Sequence, residues 1–148
     1  MLSNLVRGAI AGAAGTVALD IVTYADMALR ARPSSEMPAN LAGALAGRAG
    51  LPIEDVNRKS GVGALFGYAT GLGVGVAYGL VSAMVTLPTP IAALGLGAAA
   101  MASSDVMATR LGVADPSSWS STDWASDVIP HLAYGLVAAA VFAALGDD

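Results

Sequence analysis

The sequence predicts an all-α protein, a four-helix transmembrane bundle made of two tandem helical hairpins and folded as one membrane domain over residues 1–148. Hydrophobic residues make up 55% of the chain and charged residues only 12%, whereas a typical soluble domain is about 25% charged. Four apolar stretches approach the roughly 20 residues that a helix needs to cross a bilayer. Glycine recurs in them at helical spacing, which is typical of close helix packing in lipid.

The four predicted spans cover residues 5–29, 61–85, 91–111 and 129–145. The first has one basic residue before a long apolar run, as a signal peptide would. Because that run continues past the usual signal-peptide length, we expect a first membrane helix instead. The last span is the shortest, and Trp124 before it has the indole side chain that is enriched at membrane interfaces.

The two longer loops are predicted to carry short interfacial helices. Within residues 30–60, the segment 34–38 has a serine, an acid and a proline, which favour a helix start. Leu41 and Leu45 then share a face, and Gly50 provides a stop. In the later loop, residues 115–119 form a predicted turn, after which Ser121 or Thr122 caps a helix starting at Asp123.

Basic residues predict the orientation in the membrane. Arg7 alone lies on the side of the termini. The two longer loops carry six basic residues, namely Arg30, Arg32, Arg48, Arg58, Lys59 and Arg110. We therefore expect a multi-pass membrane protein with both longer loops in the cytoplasm and both termini outside.

The two halves of the chain resemble each other. Alignment of Asp20 with Asp105 places Gly12 on Gly97, and a two-residue shift aligns the Pro-Ser-Ser segments at 33–35 and 116–118. In the returning helices, Gly63-x-x-Phe-Gly67 aligns with His131-x-x-Tyr-Gly135. Since both halves begin on the same side of the membrane, the predicted repeat is a parallel one.

The most regular motif is a glycine series, or glycine zipper, with a spacing of four in the second span. Residues four apart lie on one helix face, where missing side chains let another backbone approach closely. The series holds the four helices of one molecule together, or it joins subunits. Its members are Gly63, Gly67, Gly71, Gly75 and Gly79, with weaker counterparts at Gly8, Gly12 and Gly135.

Polar side chains inside the apolar spans predict an intramembrane polar cluster. Such residues are functional candidates by default, because placing a charge at the centre of a membrane helix costs about 2.5–3.5 kcal/mol. The cluster serves as interhelical hydrogen-bonding glue, or as a proton relay, cation site or ligand pocket. Its predicted members are Asp20, Tyr24, Ser103, Ser104, Asp105, His131 and Tyr134.

Other classes of protein are disfavoured. The net charge of −4 opposes nucleic-acid binding. The absence of cysteine excludes disulfides and thiolate metal sites, and one histidine without a second strong ligand at metal-site spacing gives no support for a metal or cofactor. No arrangement of a nucleophile, base and acid indicates an enzyme, so we predict no catalytic residues.

The chain resembles a family of small four-helix integral membrane proteins common in high-GC bacteria. The resemblance rests on residues 7–16, 23–30, 32–35, 112–116 and 123–135. The His-Leu-x-Tyr-Gly core at 131–135 is also similar to a broader set of bacterial inner-membrane proteins linked loosely to acid response. The resemblance implies a multi-pass location but carries no established activity. It also implies Asn in many relatives at the position of Asp20, which argues against a mechanism that requires a carboxylate there.

The sequence favours a non-catalytic membrane protein, a self-associating or accessory component that packs through Gly/Ala helix faces. The expected partners are the lipid bilayer and a homo-oligomer or larger membrane complex. The alternative is a small transporter or channel for a proton, ion or small solute, using the Asp/His cluster. A binder of lipid or another hydrophobic ligand is the second alternative.

Overall fold

A computed structural model describes residues 3–146, and within them the chain is all-helical and contains no strand. Five α-helices follow one another, with a single 3-10 turn at Pro116–Ser118. The helices are α1 (Asn4–Arg30), α2 (Met37–Arg48), α3 (Val56–Ser82), α4 (Thr89–Arg110) and α5 (Ser121–Ala144).

Four of the helices, α1, α3, α4 and α5, are long and apolar enough to cross a membrane. The predicted all-α fold with four spans is therefore confirmed. Their packing also fits lipid, since small side chains such as Ala11 and Ala138 fill the interior while large ones such as Ile21 and Leu65 face outward. A soluble bundle has the opposite arrangement.

Two of the helices begin earlier than the hydropathy predicted. The side chain of Asp55 accepts a hydrogen bond from the backbone N–H of Arg58 at 2.8 Å, so α3 starts at Val56 rather than at residue 61. Ser120 and Asp123 form a reciprocal capping box before α5, so the cap is neither Ser121 nor Thr122. Capping side chains satisfy the free N–H groups of a first turn and thereby decide where a helix starts.

The helix α2 lies where the loop was predicted to be helical, and Gly50 ends it with a φ of +74°. Leu41 and Ala42 are buried, and α2 packs along the start of α3. The closest approach is at Gly63, where an added Cβ would lie 2.6 Å from the Pro38 carbonyl carbon. The position of α2 at a membrane interface stays a prediction. The later loop, between α4 and α5, contains only the 3-10 turn and no separate short α-helix.

The membrane helices pack in the spatial order α3, α1, α5, α4. The central pair, α1 and α5, joins the hairpin α1/α3 to the hairpin α4/α5. In contrast, α3 and α4 make little contact with each other, although a short turn connects them. An apolar groove of about 340 Å³ separates them, lined by residues that include Val74, Leu96 and Ala99. The bundle is therefore open along one side.

The tandem repeat stays a prediction. In the returning helices, the glycine contacts align the two halves differently from the sequence comparison. Gly12 packs against Gly71 and Gly75, while Gly97 packs against the backbone of His131 and Gly135. By these contacts, the counterparts of residues 131 and 135 are 71 and 75 rather than 63 and 67. The first alignment matched residue types, whereas helix packing depends on which residues meet.

Candidate functional site

The structure divides the predicted polar cluster among four places. Asp105, Ser104 and His131 lie together between α4 and α5. Asp20 lies on the outer side of α1 and α3, near Tyr24. Tyr134 faces α3, and Ser103 bonds within its own helix. The expected convergence of all seven side chains is therefore not found.

The group between α4 and α5 includes a second acid, Asp127. Asp105 is only 9% exposed, and Asp127 and His131 on α5 lie near its carboxyl. Ser104 Oγ donates to Asp105 Oδ1 at 3.3 Å. We call Asp105, Asp127 and His131 the acid–histidine site.

His131 is held by Asp127 one helical turn earlier on α5. Its Nδ1 lies 2.8 Å from the Asp127 backbone oxygen and 3.3 Å from Asp127 Oδ1. A carbonyl oxygen only accepts hydrogen bonds, so Nδ1 carries a proton and donates it there. The Nε2 atom is then the ring position that gains or loses a proton.

Asp127 was missed because it precedes the apolar run from which the last span was predicted. The capping box at Ser120 extends α5 backward, and this extension brings Asp127 into the helix beside α4. The pattern Asp127-x-x-x-His131 was available in the sequence, since residues four apart share a helix face. Asp127 Oδ2 is buried and has no hydrogen-bond partner among the described residues.

The acid–histidine site can hold protons. Two carboxyl groups close together do not both ionise readily, because their like charges repel. Imidazole is the side chain whose ordinary pKa lies nearest neutral pH. The site therefore brings together the kinds of groups that can exchange protons.

A charged network lies directly beside this site, where α1 ends. Asp26 forms ion pairs with Arg30 and with Arg32. Arg30 also donates to the hydroxyl of Ser126 at 2.6 Å. Because Ser126 precedes Asp127, this contact fixes the start of α5 against α1 at the level of the acid–histidine site.

Asp20 occupies a separate position. The hydroxyl of Tyr68 on α3 donates to Asp20 Oδ2 at 2.9 Å, and Tyr24 nearby is 62% exposed. Asp20 and Asp105 have similar depths along their helices, but they point to different sides of the bundle. The correspondence of the two acids in the sequence thus produces no shared site.

The remaining predicted polar residues have local or structural partners. Ser103 Oγ donates to the Ala99 carbonyl at 2.6 Å, and Ser104 Oγ donates to that of Met101 at 3.0 Å. Tyr134 is 1% exposed, and its hydroxyl donates to the Gly71 carbonyl at 2.6 Å. This last bond links α5 to α3 across the edge of α1.

The glycines of the series lie mainly inside the molecule. An added Cβ at Gly75 would lie 2.3 Å from the Gly8 carbonyl oxygen, and one at Gly79 would lie 2.2 Å from that of Asn4. Gly135 packs in the same way against α4. Gly67 differs from the prediction, since a Cβ there would meet nothing within 4 Å, and Gly63 packs against α2 instead of a membrane helix.

Residues 3–146 contain no group of three or more His, Cys, Asp or Glu side chains arranged to hold a metal ion. No known protein family, curated protein or solved structure matches the chain. Geometry and chemistry are therefore the basis for assigning a function.

Proposed function

We propose that this chain is a small, non-catalytic, proton-linked transporter of the bacterial cytoplasmic membrane. The observation that carries the proposal is the acid–histidine site, in which buried Asp105 lies near Asp127 and Asp127 holds His131. Ionisable side chains at membrane depth are rare and usually mark proton relays or ion pathways.

The energetic argument favours proton binding over simple packing. Hydrogen-bonding glue between membrane helices needs only Ser, Thr or Asn, whereas a pair of carboxyls adds a cost of burial and like-charge repulsion. Gly97 and Gly135 already bring the backbones of α4 and α5 close together without polar side chains. Close packing at this interface therefore has a source other than the acids.

The site also lies close to one end of the bundle. Asp105 lies five residues before the end of α4, about 8 Å along the helix axis. Asp127 lies six residues after the start of α5, about 9 Å along it. Protons would exchange with the side that carries the longer loops, which the distribution of basic residues assigns to the cytoplasm.

The orientation is tested with the chain's lack of cysteine. A cysteine at exposed Glu36 should be protected from a membrane-impermeant maleimide in intact cells. One at exposed Met84 should react. Reaction of Glu36→Cys in intact cells would reverse the assigned direction.

The function is tested by proton flux in liposomes, measured with an internal pH-sensitive dye. Asp105→Asn and Asp127→Asn should each reduce flux by about a hundredfold or more, the lower end of the range for removing a positioned proton-transfer group. Asp20→Asn is the matched control, because the structure places Asp20 apart from the site, and it should retain flux.

A second measurement checks protonation directly. Infrared spectra of the parent protein should show the C=O stretch of a protonated carboxyl, lost in Asp105→Asn and kept in Asp20→Asn. Equal flux in all variants, with helicity and monodispersity unchanged, would reject the proposal.

Association with another copy or a larger membrane complex is the second candidate. The specific observation that favours it is the open groove between α3 and α4, since most glycines of the series are already covered within the molecule. Native mass spectrometry from mild detergent distinguishes a monomer from an oligomer and also detects a retained lipid or other hydrophobic ligand.

A further inference from the structure

A polar cavity of about 310 Å³ lies at the end of the bundle opposite to the acid–histidine site. It is formed by the beginnings of α1 and α4 and the ends of α3 and α5. None of the residues that line it is acidic. Its polar lining consists of Asn4, Arg7, Tyr78, Ser82, Thr86 and Thr89.

Arg7 is fixed in this cavity by three contacts. One guanidinium nitrogen donates to Asn4 Oδ1 at 3.1 Å, and another donates to the Phe142 carbonyl oxygen at 2.8 Å. The guanidinium carbon lies 4.3 Å from the centre of the Phe142 ring. The side chain is thus held in one orientation before any ligand arrives, which reduces the entropy lost on binding.

Among the described residues, the hydrogen bonds of Arg7 go to neutral acceptors only. These are the Asn4 amide oxygen and the Phe142 backbone carbonyl. The Nε atom is buried without a partner among the described residues. The donors left for an anionic acceptor in the cavity are the second N–H groups of the two terminal nitrogens.

We propose that this cavity binds a phosphate group, supplied by an anionic phospholipid headgroup or by free phosphate. A guanidinium fork matches phosphate oxygens in charge and geometry, and the hydroxyls of Thr86 and Thr89 supply further donors at the rim. Ala92 and Ala139 line the cavity as small apolar side chains and leave room for a glycerol moiety. The inference is independent of the proton-linked function, because no residue is shared.

The test is native mass spectrometry of the full chain, exchanged into detergent containing equal amounts of phosphatidylglycerol and phosphatidylcholine. In a parallel arm, inorganic phosphate is added without lipid. Arg7→Gln should reduce phosphatidylglycerol retention by about tenfold or more, the value of a hydrogen bond to a charged group. Arg48→Gln is the matched control, since it removes the same charge at an exposed position on α2.

Thr86→Val with Thr89→Val gives a second variant that keeps the exposed surface and the fold while removing two donors. Lipid retention that falls in both cavity variants supports the headgroup as the source of phosphate. Binding of inorganic phosphate with equal retention of the two lipids supports the free ion. Equal retention by the parent, Arg7→Gln and Arg48→Gln proteins, with no phosphate binding, overturns the proposal.

One competing occupant is tested in the same experiment. Gly146 lines the cavity, and two aspartates, Asp147 and Asp148, follow it in the sequence outside the described residues. If the double variant Asp147→Asn, Asp148→Asn binds phosphatidylglycerol or phosphate and the parent does not, the chain's own carboxylates occupy the site. That result also overturns the proposal.

Discussion

At the scale of single residues, two side chains at the same depth in the membrane have different partners when they lie on helix faces that meet different neighbours. Asp20 and Asp105 lie at similar depths, yet Asp20 accepts a hydrogen bond from Tyr68 on α3 while Asp105 lies near Asp127 on α5. Composition and spacing identify such polar residues but do not fix their partners, because a rotation of about 100° per residue changes the neighbouring helix. Asp127 illustrates this, because it belongs to the acid–histidine site only through the position of Asp105 on the neighbouring helix.

Tyr134 provides a residue-scale prediction. Tyr134→Phe removes the buried hydrogen bond to the Gly71 carbonyl, and we expect a loss of about 0.6 kcal/mol or slightly more in unfolding free energy, as for other hydrogen bonds between membrane helices. Tyr24→Phe is the control, because that side chain is exposed. Denaturant titration in mild detergent, followed by circular dichroism, measures both. Equal stability of the two variants would show that the bond contributes nothing.

At the scale of helices, the glycine series is one motif with two environments. Gly75 touches the backbone of Gly8 and Gly12, whereas Gly67 faces open space eight residues earlier on the same helix. The spacing of four predicted a close-packed face over the whole series. The approach of α1 covers only part of that face, and α2 covers the position of Gly63.

The same substitution at these two glycines should therefore have opposite effects. Gly75→Ala places a Cβ 2.3 Å from the Gly8 carbonyl oxygen, so we expect destabilisation of about 2 kcal/mol or more from overpacking. Gly67→Ala meets nothing within 4 Å and should be neutral or stabilise by up to about 1 kcal/mol through higher helix propensity. Thermal unfolding in detergent ranks the two, and an equal loss of stability would contradict the described packing of α1 on α3.

At the scale of the whole molecule, two helical hairpins meet through α1 and α5, while α3 and α4 remain apart. The acid–histidine site lies between α4 and α5 at one end. The cavity of Arg7 lies at the other end, where all four membrane helices contribute residues. The α4/α5 hairpin therefore contains the acid–histidine site, and the α1/α3 hairpin contains no equivalent of it among the described residues, although the two sequences suggest a repeat.

Cutting the chain in the turn between α3 and α4 tests this arrangement. Co-expressed halves covering residues 1–85 and 86–148 should copurify, because α1 and α5 hold the hairpins together. Gly15→Leu should reduce recovery severalfold, since a Cβ at Gly15 lies 2.8 Å from Tyr134 Cδ2. Gly73→Leu is the control, with nothing within 4 Å, and should not change recovery. Unchanged recovery of Gly15→Leu would argue against the α1–α5 interface.

The sequence alone determined the all-α class and the four membrane-length helices, because hydropathy and helix capping depend on residues close together in the chain. It also identified Asp20, Asp105 and His131, though not Asp127, as polar side chains that need partners inside the membrane. Only the tertiary structure decided that Asp127 joins Asp105 and His131, that Asp20 does not, and that Arg7 faces a cavity. Those contacts depend on the rotation and register of one helix against another, which small-residue packing sets through contacts distant in the sequence.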